Sequence, residues 1–209
     1  MQQGKTQVKP KRPQRLRTRL IPILGYTAVA LGLAWFFELQ ATTTVIFVRH
    51  ADTDTTMAQG GDPPLNARGR ARAEMLADFL EDVDVVAGVD AIYANKARRT
   101  QETAAPLAKR LGLDVAIDDP YDVEGFMSRV LRKHKGEVIL VVTHGDAIAA
   151  LVAELHGSKR VPAIKPDEYD NLYVVTIPWF GKVKTLRLHY GLVRAGTELS
   201  GAETPALPH

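Results

Sequence analysis

Residues 44–53 read TVIFVRHADT, a β-branched and aromatic run that leads directly into an arginine and a histidine. Such a run predicts a buried, central parallel strand over residues 45–48. Arg49 and His50 then lie at the carboxyl edge of the sheet, where open α/β sheets bind their ligands. The stretch therefore predicts an α/β fold with Arg49 and His50 at the ligand-binding edge of its sheet.

The positive charge of the chain is concentrated at its N-terminus. Seven of the 27 basic residues lie within residues 1–19, which contain no acidic residue. The other 20 basic residues stand against 24 acidic ones, so residues 20–209 carry a formal charge of −4. This distribution argues against nucleic-acid binding, because the basic residues belong to a tail. The absence of cysteine excludes a disulfide framework, a thiolate nucleophile and a cysteine-ligated metal.

Residues 20–37 contain no charged side chain and would span roughly 27 Å as a helix, close to the roughly 30 Å hydrocarbon core of a bilayer. The run predicts a transmembrane helix behind the basic tail of residues 1–19. The positive-inside rule keeps that tail in the cytoplasm and places the following domain on the other side of the membrane. A cleaved signal peptide and a buried core helix are the alternatives.

Strand and helix patterns alternate along the rest of the chain. Strands are predicted at residues 91–94, 115–117 and 138–142, and helices after Asn66, after Asn95, over 123–135 and over 147–155. Asn66 and Asn95 are the predicted helix caps. Residues 172–177 and 183–190 predict a hairpin. Residues 195–209 are predicted to form a disordered tail.

Two of the predicted strands end in a histidine, His50 and His144. Arg49 lies beside the first histidine, and Arg99 lies at the start of a helix that follows another strand. In an α/β domain such strand ends can meet at one edge of the sheet. Two arginines and two histidines make a pocket for a dianion, because guanidinium offers fixed bidentate donors to phosphate.

Four segments resemble the motifs of the histidine phosphatase superfamily, also called the phosphoglycerate mutase-like family. Residues 48–53 (VRHADT) resemble its Arg-His-Gly-Glu-Thr signature, and residues 64–69 (PLNARG) its Leu-Thr-x-x-Gly helix start. Residues 95–104 (NKARRTQETA) are similar to its Ser-Pro-Leu-x-Arg-Ala-x-x-Thr segment, and residues 142–146 (VTHGD) to its second-histidine motif. The motifs follow the family's order over residues 44–190, with Ala51, Asp52 and Asn95 replacing glycine, glutamate and serine. The resemblance implies a three-layer α/β sandwich with a mostly parallel central sheet.

The resemblance also implies a phosphatase that acts on a phosphomonoester or a phosphorylated protein side chain. Neutral His50 would attack phosphorus and become phosphorylated, after which water would release phosphate. Arg49, Arg99 and protonated His144 would bind the phosphate oxygens and stabilise the transition state. These cationic groups take the role of a metal, so no metal or other cofactor is implied.

The general acid is the least defined part of the predicted site. The family often takes a carboxylate from the segment between Arg99 and His144, and Glu124 is preferred because it precedes a glycine as in the family. The other candidates are Asp118, Asp119 and Asp122, and some small members of the family work without an acid. Asp146 is set aside, because the acid-phosphatase branch has its aspartate immediately after the histidine.

Two other functions stay open, a phosphoglycerate mutase-type phosphotransferase and a catalytically silent module that binds an anion at the membrane. The 44 residues between Arg99 and His144 leave little room for the long cap of the mutases, which favours hydrolysis. The presence of all four central residues favours an enzyme over a silent module. The remaining histidines, including His134, are predicted to lie at the surface. The sequence defines neither the substrate nor the oligomeric state.

Overall fold

The computed structural model of the protein describes residues 14–38, 42–54, 61–81, 88–157, 161–162 and 164–191. The chain divides into two compact units, Met1–Gln40 and Ala41–His209. Most of the predicted basic tail and the whole of the predicted C-terminal tail lie outside the described residues.

The described residues of the first unit form the helix α1 (Gln14–Glu38), over the segment predicted to cross a membrane. Large apolar side chains of α1, such as Leu24 and Trp35, are exposed. Within the described parts of the chain, however, no helix combines the length and apolar character that a membrane crossing requires. The structure therefore does not support the transmembrane helix predicted over residues 20–37.

The second unit is built on a six-stranded mixed sheet. In chain order the strands are β1 (Thr43–Arg49), β2 (Ala91–Ala94), β3 (Val115–Ile117), β4 (Val138–Thr143), β5 (Asn171–Ile177) and β6 (Lys184–His189). Their spatial order is β3-β2-β4-β1-β5-β6. Strands β1 to β4 are parallel, whereas β5 and β6 form the predicted hairpin and β5 pairs with β1 antiparallel. The strand that leads into Arg49 and His50 therefore lies inside the sheet.

Four helices cover the two faces of the sheet. They are α2 (Ala67–Glu81), α3 (Arg98–Leu111), α4 (Val123–Lys133) and α5 (Gly145–Glu154). Side chains of α2 and α3 form one core cluster with one face of the sheet, and side chains of α4 and α5 form a second cluster with the other face. This is the three-layer sandwich that the resemblance implies.

Strand β1 contributes to both clusters because successive side chains of a strand point to opposite faces. Val45 and Phe47 pack with α4 and α5, whereas Ile46 and Val48 pack with α2 and α3. All four side chains are buried. The unbroken apolar run of this strand is thus explained by helices on both of its faces.

The two predicted asparagine caps differ in their positions. Asn66 accepts a hydrogen bond from the backbone N–H of Gly69 at 2.8 Å and caps α2 as predicted. Asn95 instead accepts from the backbone N–H of Ala97 at 2.9 Å, in the turn that precedes α3. Helix α3 begins only at Arg98, so Asn95 is not its N-cap residue.

Candidate active site

The carboxyl ends of β1 and β4 bring the two predicted histidines together. Arg49 pairs with Thr143 in the parallel register, and the backbone N–H of His50 donates to the carbonyl oxygen of Thr143 at 2.9 Å. The His50 and His144 rings lie edge to face with their centroids 5.2 Å apart. Two residues separated by more than 90 positions in the sequence thus share one site.

His50 is held in the form that a nucleophile requires. Its Nδ1 lies 2.9 Å from the carbonyl oxygen of Ala51. A carbonyl can only accept, so this contact assigns the hydrogen to Nδ1 and leaves the lone pair on Nε2. Burial, assisted by the charges of His144 and Arg99, lowers the pKa of His50 to about 4. The imidazole is therefore neutral at neutral pH, with Nε2 available to attack.

Thr103 links the nucleophile strand to the helix that carries Arg99. Its hydroxyl accepts from the backbone N–H of Ala51 at 2.9 Å and donates to the carbonyl oxygen of Arg99 at 2.7 Å. The residue is 1% exposed. Thr103 matches the threonine of the Ser-Pro-Leu-x-Arg-Ala-x-x-Thr segment. Its hydroxyl, four residues after the arginine, joins the backbone after His50 to the first turn of α3.

Arg99 lies beside the second histidine. Its Nη2 is 3.5 Å from Nε2 of His144, and its Nη1 is 3.5 Å from Oδ1 of Asp62. Burial and the positive charge of Arg99 lower the pKa of His144. The charges of the protein alone thus favour neutral His144. The protonated form implied by the resemblance requires the negative charge of a phosphate beside it.

Arg49 is anchored by a segment that the sequence patterns did not single out. Its Nη1 donates to the carbonyl oxygens of Lys165, Pro166 and Glu168 at 3.0, 3.1 and 3.1 Å. The guanidinium also lies 4.2 Å from the centre of the Tyr169 ring. These contacts fix the guanidinium plane and leave Nη2 and Nε as the donors that can turn towards a phosphate.

The four side chains border one cleft of about 650 Å³. Its lining combines the two arginines and two histidines with an apolar wall, a tyrosine and one carboxylate: Arg49, His50, Arg99, Tyr121, His144, Gly145, Asp146, Ala149, Ile164 and Pro166. Two arginines and a second histidine around the neutral imidazole of His50 can bind a dianion and transfer its phosphoryl group to Nε2.

Residues 45–120 match the family model described as Histidine phosphatase superfamily (branch 1). Over 80 residues the chain is 41% identical to an uncharacterized protein of Mycobacterium tuberculosis strain H37Rv, and this match covers 36% of this chain and 38% of that protein. The chain thus spans well under half the length of this curated relative.

Solved structures share the fold over a larger part of the chain. The mycobacterial glucosyl-3-phosphoglycerate phosphatase has a TM-score of 0.55 at 16% identity, over 71% of this chain and 98% of that chain. Phosphoserine phosphatase from Entamoeba histolytica has a TM-score of 0.50 at 13% identity, over 64% of this chain and 90% of that chain. At these identities the solved structures show the shared fold. The match to the histidine phosphatase superfamily (branch 1) is confined to residues 45–120.

The carboxylate preferred from the sequence lies outside the described lining of the cleft. Glu124 is exposed in the first turn of α4 and is not among the described residues that line the cleft. Asp118 and Asp122 bind Arg129 at 2.9 and 3.0 Å and are not among the described residues that line the cleft. Asp146 does line the cleft, although Gly145 separates it from His144. Its place in the cleft does not depend on its directly following the histidine.

His134 is the second departure from the sequence interpretation. It is 8% exposed rather than at the surface. Its ring shares a 2.8 Å hydrogen bond with the Tyr93 hydroxyl and a 2.6 Å hydrogen bond with Glu137. These partners satisfy both ring nitrogens, so His134 is a structural residue remote from the cleft.

No group of three or more His, Asp or Glu side chains that could hold a metal ion occurs in the described parts of the chain. Among the described residues that line the cleft, the permanently cationic side chains are Arg49 and Arg99.

Proposed function

We propose that the protein is a phosphatase that hydrolyses a phosphomonoester or a phosphorylated protein side chain through a phosphohistidine at His50. The observation that carries this proposal is the position of neutral His50 between Arg49, Arg99 and His144 in one cleft. A histidine buried only for structural reasons would not require two arginines and a second histidine around it.

The first chemical step transfers the phosphoryl group to the protein. The lone pair on Nε2 of His50 attacks phosphorus while the bond to the ester oxygen breaks. That oxygen takes a proton from water in the open cleft and leaves as an alcohol, and the water that attacks in the second step returns a proton to solvent. Arg49 and Arg99 neutralise the charge on the equatorial oxygens, and His144 becomes protonated as the dianion binds. The hydrogen bond from Nδ1 to Ala51 stabilises the positive charge that develops on the His50 ring.

The second step releases phosphate. A water molecule attacks the phosphohistidine in line, and Nε2 of His50 regains its lone pair as the P–N bond breaks. The same guanidinium groups stabilise both transition states, because the charge develops on the same phosphate oxygens. The site is thereby restored for another ester.

A mutase is the nearest alternative, and the elements after Arg99 argue against it. The described residues between Arg99 and His144 form the rest of α3, then β3, α4 and β4, all of which belong to the sandwich. Within this stretch no additional element is present to cover the cleft and retain a phosphorylated intermediate. An accessible cleft favours transfer to water.

Release of inorganic phosphate from a panel of sugar phosphates, nucleotides, phosphopeptides and phosphohistidine tests the proposal. The wild-type protein should release phosphate from at least one class without bisphosphate priming, and His50→Ala should abolish release. Arg98→Ala is the matched control, because Arg98 is exposed and binds Glu102 outside the cleft. Transfer of phosphate between the hydroxyls of a phosphoglycerate, or full activity in His50→Ala, would refute the proposal.

Membrane tethering is a further part of the proposal and rests on the sequence. The uncharged run of residues 20–37 follows a strongly basic segment, and the exposed apolar side chains of α1 are compatible with a lipid environment. The full chain should remain in the membrane pellet after alkaline carbonate extraction, whereas the double substitution Leu24→Lys and Leu31→Lys should release it. Recovery of the wild-type chain in the supernatant would contradict tethering.

A further inference from the structure

We propose that the cleft selects a phosphomonoester whose leaving group carries a positive charge, such as an amino-alcohol phosphate, and that Asp146 and Tyr121 bind that charge. This inference rests on the proposed function, since it concerns the alcohol part of the ester that the phosphatase hydrolyses.

The two residues lie next to the phosphate-binding groups. Asp146 and Tyr121 line the same cleft as His50 and the two arginines. The Tyr121 ring stacks on the ring of His144, with 6.0 Å between the centroids and an angle of 26° between the planes. A leaving group attached to a phosphate held by His144 therefore begins close to Tyr121.

The charges of the cleft divide into two regions. All the basic groups among the described lining residues belong to the phosphate-binding set, and Asp146 is the one acidic residue in that described lining. The donors of Arg49 are partly used by backbone carbonyls, and Arg99 lies beside Asp62. No described lining residue remains to neutralise a carboxylate or a second phosphate on the leaving group. Asp146 instead repels an anion and attracts an ammonium group.

Tyr121 orients the carboxylate and offers an aromatic surface. Its hydroxyl donates to Oδ1 and Oδ2 of Asp146 at 3.1 and 3.2 Å. Burial and this hydrogen bond raise the pKa of Tyr121, so the hydroxyl stays a donor. The residue is 54% exposed, which leaves the ring accessible to a cation. Ile164 and Pro166 add apolar surface for the methylene groups of a short chain.

Three small esters that differ in charge test the inference: phosphoethanolamine with a cationic leaving group, propyl phosphate with a neutral one and phosphoglycolate with an anionic one. For the wild-type full chain, kcat/KM should be about tenfold higher for phosphoethanolamine than for propyl phosphate, the effect of one charge pair at a partly exposed site. Phosphoglycolate should be the poorest of the three.

Substitutions at Asp146 separate charge recognition from folding and from proton transfer. Asp146→Asn should remove the preference for phosphoethanolamine over propyl phosphate, and Asp146→Lys should reverse the order in favour of phosphoglycolate. A reversed preference is a gain that misfolding does not produce. Asp167→Asn is the matched control, because Asp167 is exposed and lines a different depression of the surface.

The remaining outcomes contradict either the subsite or the proposed function. Equal kcat/KM for the three esters in the wild type would overturn the subsite and leave the phosphatase proposal intact. A loss by the same factor for all three esters in Asp146→Asn would also overturn it, because Asp146 would then act on the leaving-group proton or on the structure. Absence of turnover on all three esters, together with phosphate release from another class of the wider panel, would overturn the subsite. Absence of turnover on the whole panel, without a phosphohistidine, would refute the proposed function itself.

Discussion

Protonation of His50 should cost the protein stability as the pH falls. Its pKa is about 4 in the folded protein and 6.5 in an unperturbed histidine. The unfolded chain therefore binds the proton more readily, so this contribution to stability is present above pH 6.5 and is lost as the pH falls to 4. The two pKa values correspond to a total loss of about 3 kcal/mol, because each pH unit between them contributes about 1.4 kcal/mol.

Urea unfolding at about pH 7 and about pH 5 measures this loss. Between these two conditions the wild type should lose about 2 kcal/mol more than His50→Gln, which has no ionisable group at this position. Carboxylates that titrate in the same range affect both proteins equally and cancel in the comparison. His189→Gln is the control and should follow the wild type, because the His189 side chain is 48% exposed. The same loss in the wild type and in His50→Gln would refute the burial-based account of the neutral nucleophile.

Two further substitutions test the phosphate-binding groups and the packing behind them. Arg99→Ala should lower kcat/KM for phosphate release by about 10²–10³-fold, the usual effect of removing one donor to a transition-state oxyanion. The control Arg98→Ala should change kcat/KM by about twofold or less, since Arg98 is exposed. Equal losses of the two variants in steady-state assays would contradict the assignment of the motif arginine to Arg99. Gly69→Ala would place a methyl carbon 2.0 Å from the backbone oxygen of Asp52 and should reduce the free energy of unfolding by about 1–3 kcal/mol. The control Gly25→Ala should not destabilise the protein, because nothing lies within 4 Å of the added carbon. Unchanged urea unfolding of Gly69→Ala would contradict this prediction and show that α2 can move away from Asp52.

The fold could be predicted from local patterns because its central strands are buried on both faces. The apolar run before Arg49 and the one before His144 each indicate such a strand, and parallel strands present their carboxyl ends at one edge. That geometry alone places His50 near His144. The start of α3 was predicted less accurately, because Asn95 forms a turn and lies two residues before the N-cap residue Ala97.

Features that the sequence did not predict depend on contacts between residues far apart in the chain. The carbonyls that hold Arg49 come from an irregular segment 116–119 residues away, and backbone carbonyls leave no trace in residue type. Asp146 was set aside as the general acid because Gly145 separates it from His144, whereas the start of α5 brings this second residue after the histidine to the cleft. His134 was taken for a surface residue, since its partner Tyr93 lies 41 positions earlier.

Phosphorylation of His50 is the most direct test of the proposed chemistry. The full-length protein would be mixed with a radiolabelled phosphomonoester, quenched within the first turnover and mapped by peptide analysis. The prediction is an acid-labile, alkali-stable phosphoryl group on His50 that is absent in His50→Ala and retained in His189→Gln. A phosphoryl group on any other residue, or steady phosphate release with no labelled protein at any quench time, would contradict a phosphohistidine mechanism at this site.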